Sequence, residues 1–248
     1  MAKVTYLDNC GFAVRTDGVI MVFDYWRDPS HALVKELKHN PQDVVVFFVS
    51  GNKEGHYNTD IFNLGQDHKR TYIVANEVLN TVGDTEEPVA GMSAGDRIED
   101  IMGGLTVEAF GDDEKGVSFV VTTKGGDVIF HGGDLSPMHK DIKDGRQGAR
   151  LADRFTTITR RIASAVPTVN LAFLEVDPAW GNDFARGAEE FLNTVNVEEF
   201  IPMHTNGKID RAGDFRNYHI DPTRHVRFHC PQYVGQTLDI NLTVPANA

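Results

Sequence analysis

Short apolar runs dominate the first quarter of the chain. Val4 to Leu7, Gly11 to Thr16 and Val19 to Phe23 each have strand length, and Asp17-Gly18 between the last two is a two-residue hairpin signal. Asp43 to Val49 contains six consecutive apolar residues, which predicts a strand buried on both faces. Tyr72 to Ala75, Leu105 to Phe110, Val117 to Thr123 and Asp127 to Phe130 extend the series, with a turn at Lys124-Gly125-Gly126. The period then changes. Leu151, Phe155, Ile158 and Ile162 recur at helical spacing and Pro167 follows them; Phe184, Ala188, Phe191, Leu192 and Val195 do the same. Strands at Leu171 to Val176 and Phe200 to Met203 flank that second helix. An early helix is predicted over Ser30 to Lys38 with Ser30 as its cap. Ser136 to Gly148 is polar and glycine-containing and reads as a loop over one end of the fold. Strands early and helices interleaved late predict a sheet sandwich covered by helices.

Composition narrows the function classes. The 248 residues suit one domain spanning 1–248, and 41% hydrophobic with 24% charged residues is ordinary for a globular chain. The net charge of −12 argues against a nucleic-acid partner, which needs a basic face. No apolar stretch approaches the ~20 residues that span a bilayer, so no membrane partner is expected. The opening Met-Ala-Lys-Val-Thr-Tyr lacks the pattern of a signal peptide, and a cytoplasmic location is the expectation. Cys10 and Cys230 are far apart and form no framework.

Ten histidines are many for this length. His56, His131, His139 and His204 stand just after predicted strand ends, where rigid scaffolds display functional groups. Asp134 closes Phe130-His131-Gly132-Gly133-Asp134, whose glycines allow a sharp turn. Histidines and carboxylates together suit a borderline metal such as zinc.

Five segments resemble the metallo-β-lactamase superfamily in its small metal-dependent hydrolase branch. Tyr6-Leu7-Asp8-Asn9-Cys10-Gly11-Phe12-Ala13-Val14 is similar to that branch's Y-L-x-H-S-G-F-A-V start, and Val22-Phe23-Asp24 to its second strand. Ser50 through His56 stands where the family has S-H-x-H-x-D-H. Phe130 to Leu135 resembles F-H-A-G-D-L, and Ile201-Pro202-Met203-His204 matches I-P-M-H. The order and spacing agree across nearly the whole chain. The resemblance implies an α/β (α+β) fold, a four-layer αββα sandwich, with two adjacent metal ions bridged by the aspartate of the G-D motif.

This chain departs from that pattern at the ligands. The two histidine positions of the signature are Gly51 and Lys53, its aspartate is Gly55, and Asn9 replaces the early histidine. The third-histidine region, residues 111–115, contains none. The first metal position has therefore lost its terminal ligands, and the Lys53 ammonium repels a dication. Lys53 either places its charge near Asp134, in the stead of a cation, or points to water. The second position keeps His56, Asp134 and His204, a set able to hold one zinc, iron or manganese ion. Alternatively these histidines only hydrogen-bond to Asp134 and no metal is held. Glu54, His139 and Asp112 are further candidates near the rim. Cys10 and His131 read as buried structural residues, Asp24 and Asp177 as carboxylates at strand ends, and His219, His225 and His229-Cys230 carry little weight.

Three functions follow. The first is an inactive or altered relative of a hydrolase, with a small-molecule pocket formed by Asn9, Asn52, Lys53, His56, His139, Asp134 and His204. The second is a single-metal hydrolase of an ester, lactone, amide or phosphoester, working through metal-bound hydroxide, with Asp134 as the candidate catalytic group. The third is a non-enzymatic scaffold or homo-oligomer.

Overall fold

Three antiparallel strands open the chain: β1 (Ala2–Asp8), β2 (Gly11–Thr16) and β3 (Val19–Phe23). Asp17 and Gly18 both take positive φ, 51° and 75°, as a hairpin turn matched to strand twist requires. The computed structural model describes residues 1–82, 85–111, 116–139 and 144–242. Helix α1 (Ala32–His39) leads to β4 (Val44–Val49), the unbroken apolar run, which lies parallel between β3 and β5 (Arg70–Ala75). A single turn of helix, α2 (Asn76–Leu79), precedes β6 (Val89–Met92).

The second half repeats the plan. Antiparallel β7 (Arg97–Ile101), β8 (Leu105–Gly111), β9 (Val117–Thr122) and β10 (Val128–His131) run to the long helix α3 (Gly145–Ala165). Then follow β11 (Val169–Glu175), α4 (Arg186–Thr194), β12 (Val197–Met203), α5 (Ile209–Ala212), β13 (Arg227–Phe228) and β14 (Thr237–Ile240). Among the described residues the result is two seven-stranded mixed sheets, ordered β14-β1-β2-β3-β4-β5-β6 and β13-β12-β11-β10-β9-β8-β7.

Aromatic rings join the sheets: Phe12 lies 4.5 Å from Phe173 and Phe48 5.5 Å from Phe119, centroid to centroid. On the outer face of the second sheet, Phe155, Ile158 and Ile162 of α3 and Phe191 and Leu192 of α4 cluster with Phe130 and Phe200. Leu33 and Leu37 of α1 pack into the core of the first sheet. Helices thus cover both outer faces, giving the expected four-layer αββα sandwich. Among the described residues no helix is long and apolar enough to cross a membrane.

Local corrections have local causes. The early helix starts at Ala32, not Ser30, because His31 sits in the left-handed region at φ 54°. The carboxylate of Asp28 does most of the capping, accepting from the N–H groups of Ala32 (3.0 Å) and Leu33 (2.8 Å), while Ser30 Oγ shares the Ala32 N–H at 3.3 Å. The polar stretch after Ser136 yields to helix at Gly145, where Asp144 accepts from Arg146 N–H. Strands β3, β4 and β5 are parallel, as are β10, β11 and β12, so each set delivers its carboxyl ends to one side.

Candidate functional site

The site grows from a buried carboxylate. Asp24 follows β3 with φ 44°, a left-handed conformation that turns its side chain inward, and it is fully buried. One oxygen accepts from Ser50 N–H (2.7 Å); the other accepts from Ser50 Oγ (2.6 Å) and lies 2.7 Å from His56 Nδ1. Burial would raise the Asp24 pKa, but His131, His56 and these hydrogen bonds hold it below the usual carboxylate range. Burial likewise opposes a charged His56, yet the Cys10 sulfur and the Asp24 carboxylate outweigh it and raise its pKa well above that of a free imidazole. His56 Nε2 faces Cys10 Sγ and Asp134 Oδ1, each at 3.8 Å.

His131 has a different state. Its Nε2 donates to the Cys10 carbonyl at 2.9 Å while Nδ1 accepts from Gly133 N–H at 3.3 Å. Those partners fix the neutral tautomer with the proton on Nε2, and burial lowers its pKa accordingly. Cys10 is fully buried, which pushes its thiol pKa up.

The signature loop holds Lys53 over Asp134. Its Nζ donates to Asp134 Oδ2 in an ion pair, the first of the two placements that the sequence left open. Asn9 braces the loop from below, donating from Nδ2 to the Gly55 carbonyl at 3.2 Å. Gly55 at φ 94° allows this approach, since a Cβ there would lie 2.3 Å from Asn9 Nδ2. Asn52 is exposed, and its N–H donates to the Glu77 carboxylate at 2.8 Å.

A cavity of about 390 Å³ opens at these strand ends. Of the expected pocket residues, Lys53, His56, Asp134, His139 and His204 line it, as does Glu54. Asn52 is not among its lining residues, and Asn9 lines an adjoining groove with Trp26 and Arg27 that shares Glu54, His204 and Asn206 with the cavity. Asp112 lies outside the described residues. Sequence reasoning missed Glu175 and Trp180, which line the cavity as well, and took Asp177 as merely structural. Asp177 does cap the following turn, accepting from Ala179 N–H at 2.8 Å, but it also faces the cavity. The one available signal was a glutamate closing the otherwise apolar run from Leu171. Burial, reinforced by the charge of Asp134, pushes the Glu175 pKa up to about 8.

Among the described residues, no donor set fits two adjacent ions. Gly51 and Gly55 offer no side-chain donor, and the Lys53 ammonium occupies the carboxylate that would bridge the pair. Among the described residues, the set of three donors lying within 4.8 Å of one another is Glu175, Asp177 and His204. It shares only His204 with the expected set. The rings of His56 and His204 are 6.4 Å apart.

No family model matches the chain, and no curated protein does. Solved structures do resemble it. Igni18, a metallo hydrolase from the archaeon Ignicoccus hospitalis, aligns over 96% of this chain and 97% of its own with TM-score 0.63 and 16% identity. The metallo-β-lactamase fold protein YhfI from Bacillus subtilis aligns over 96% and 98% with TM-score 0.56 and 12% identity. The short form of human tRNase Z aligns over 96% and 99% with TM-score 0.56 and 11% identity. At these identities the likeness establishes the fold: the chain has the metallo-β-lactamase fold.

Proposed function

We propose that this is a hydrolase-like protein of the metallo-β-lactamase fold that binds a small molecule in its strand-end cavity, with an internal ion pair in place of the two-metal centre. The Lys53–Asp134 pair carries the reading. Two-metal hydrolysis uses the ions to generate hydroxide and to stabilise developing charge. Here a fixed ammonium meets the carboxylate that would bridge them, and it can orient an anionic or carbonyl oxygen but cannot supply hydroxide. His56, held by Asp24, adds a second positively polarised group, while His139 and Trp180 offer further polar and aromatic contacts. Small-molecule sites are concave and fixed in orientation by a few convergent polar groups, and this cavity supplies them.

Two measurements test this together. A metabolite library screened by melting temperature should give stabilising ligands whose shift shrinks in Lys53→Ala. Ester, lactone and phosphodiester panels should show no turnover that requires two ions per chain. Two tightly held ions with zinc-dependent hydrolysis would overturn the reading, and a library without any binder would favour a scaffold.

A further inference from the structure

We propose that Glu175, Asp177 and His204 form a site for one divalent transition cation, of the zinc, manganese or iron(II) class, displaced from the position that Lys53 fills. The three donor atoms lie within 4.8 Å of one another, so small side-chain rotations bring each to the bond length of about 2.0–2.2 Å that such ions take. Sheet register brings them together. Glu175 pairs with Met203 across parallel β11 and β12, and Val176 N–H donates to the Met203 carbonyl at 3.0 Å, so His204 emerges beside Glu175. Asp177 is two residues past Glu175 and faces the same cavity.

The donors are also oriented. One oxygen of Asp177 is held by Ala179 N–H, which aims the carboxylate and leaves its other oxygen for an ion. His204 sits at φ 58°, a conformation costly for a non-glycine residue, and its N–H donates to the Asn9 carbonyl at 3.2 Å. His204 Nδ1 lies 3.8 Å from Glu175 Oε1, a separation that an ion bonded to both would span. Two carboxylates with one imidazole suit borderline cations better than magnesium or calcium, which prefer oxygen alone. The remaining coordination positions face the cavity, where water or a ligand atom completes the shell. The inference rests on the preceding reading only in placing the ion away from Lys53.

Calorimetric titration of chelator-treated protein with zinc chloride, and separately with manganese chloride, tests it. We expect one ion per chain. Asp177→Asn, which keeps the capping oxygen, should weaken binding by at least about tenfold, as loss of a ligand or its support does. Asp183→Asn, an exposed change outside the site, should leave it unaltered. An anomalous map from zinc-soaked wild-type crystals reads the ligands without any substitution, and the peak should touch residues 175, 177 and 204. No binding, binding indifferent to Asp177→Asn, or a peak on His56 instead would overturn the site. Absence of binding leaves the ion-pair reading standing, whereas two ions ligated by His56 and Asp134 overturn both.

Discussion

His56 Nδ1 and the Asp24 carboxylate lie 2.7 Å apart with both side chains buried, so the signature loop is tied to the end of β3 by a charged hydrogen bond. The same carboxylate takes two bonds from Ser50 at the end of β4. One buried group therefore fixes three segments. Removing one partner of such a pair leaves an uncompensated polar group, which typically costs about 3–5 kcal/mol. Asp24→Asn, which keeps the shape, should cost roughly 2–4 kcal/mol in urea unfolding. A loss below that range would show that the pair is peripheral to stability.

The pair also sets a pH window. The Asp24 pKa is lowered from 3.8, so its contribution is present above that value and fades as pH falls through the folded value. The His56 pKa is raised above 6.5, so its contribution is complete below 6.5 and fades as pH rises through the folded value. The coupling energy from the Asp24→Asn and His56→Gln double-mutant cycle should peak between the two unfolded values and decline on either side. A coupling that keeps growing at alkaline pH would contradict the assignment.

Glu175 gives the opposite slope to Asp24. Its pKa rises from 4.5 to about 8, so the folded chain holds a proton that the unfolded chain releases. That preference stabilises the fold below 4.5 and is lost as pH climbs toward 8. In chelator-treated protein, Glu175→Gln should therefore be nearly neutral at pH 5 and stabilising at pH 9, by on the order of 4 kcal/mol. Melting curves at the two pH values check this, and an equal effect at both would refute it.

Lys53 should matter little for folding and much for ions. Its side chain is 44% exposed, and exposed pairs contribute about 0–1 kcal/mol. Lys53→Ala should leave the urea midpoint almost unchanged. It removes a fixed positive charge from the cavity, so zinc affinity should rise several-fold, with the gain shrinking in high salt. Unchanged zinc affinity would mean that the ammonium does not oppose an ion there.

Much of this was legible in the sequence because the five motif segments stand at strand ends, where spacing maps directly onto position. Gly51, Lys53 and Gly55 stand where the family resemblance implies ligands, and a Lys53 charge near Asp134 was one of two placements the sequence left open, the other being water. Glu175 was hidden because a glutamate closing an apolar strand reads as a solvent-facing end; only the register of β11 against β12 turns it inward. Ser30 is only a partial cap, because the main one, Asp28, reaches forward past a left-handed His31 that no composition rule signals. Strands β6, β7, β13 and β14 escaped because they are short and half-exposed, with no clean alternation.

Gly133 tests whether the backbone before Asp134 is as constrained as the ion pair requires. It takes φ 56°, and a Cβ there would lie 2.7 Å from Ser50 Cβ and 2.8 Å from the Val117 carbonyl. Neither neighbour yields easily: Ser50 is held by Asp24, and Val117 N–H is bonded to the Ser50 carbonyl at 2.8 Å. Gly133→Ala therefore adds overpacking of about 1–3 kcal/mol to a left-handed penalty of about 1–2 kcal/mol. Gly126 separates the two costs, since it has φ 92° but a methyl group added there would meet nothing within 4 Å. Gly126→Ala should cost only the conformational part, about 1–2 kcal/mol. Gly133→Ala should cost at least twice as much and weaken the ligand-induced melting shift, because Asp134 moves with its neighbour. Equal losses in urea unfolding would mean that the strand end can relax, and that Asp134 is not rigidly presented to Lys53.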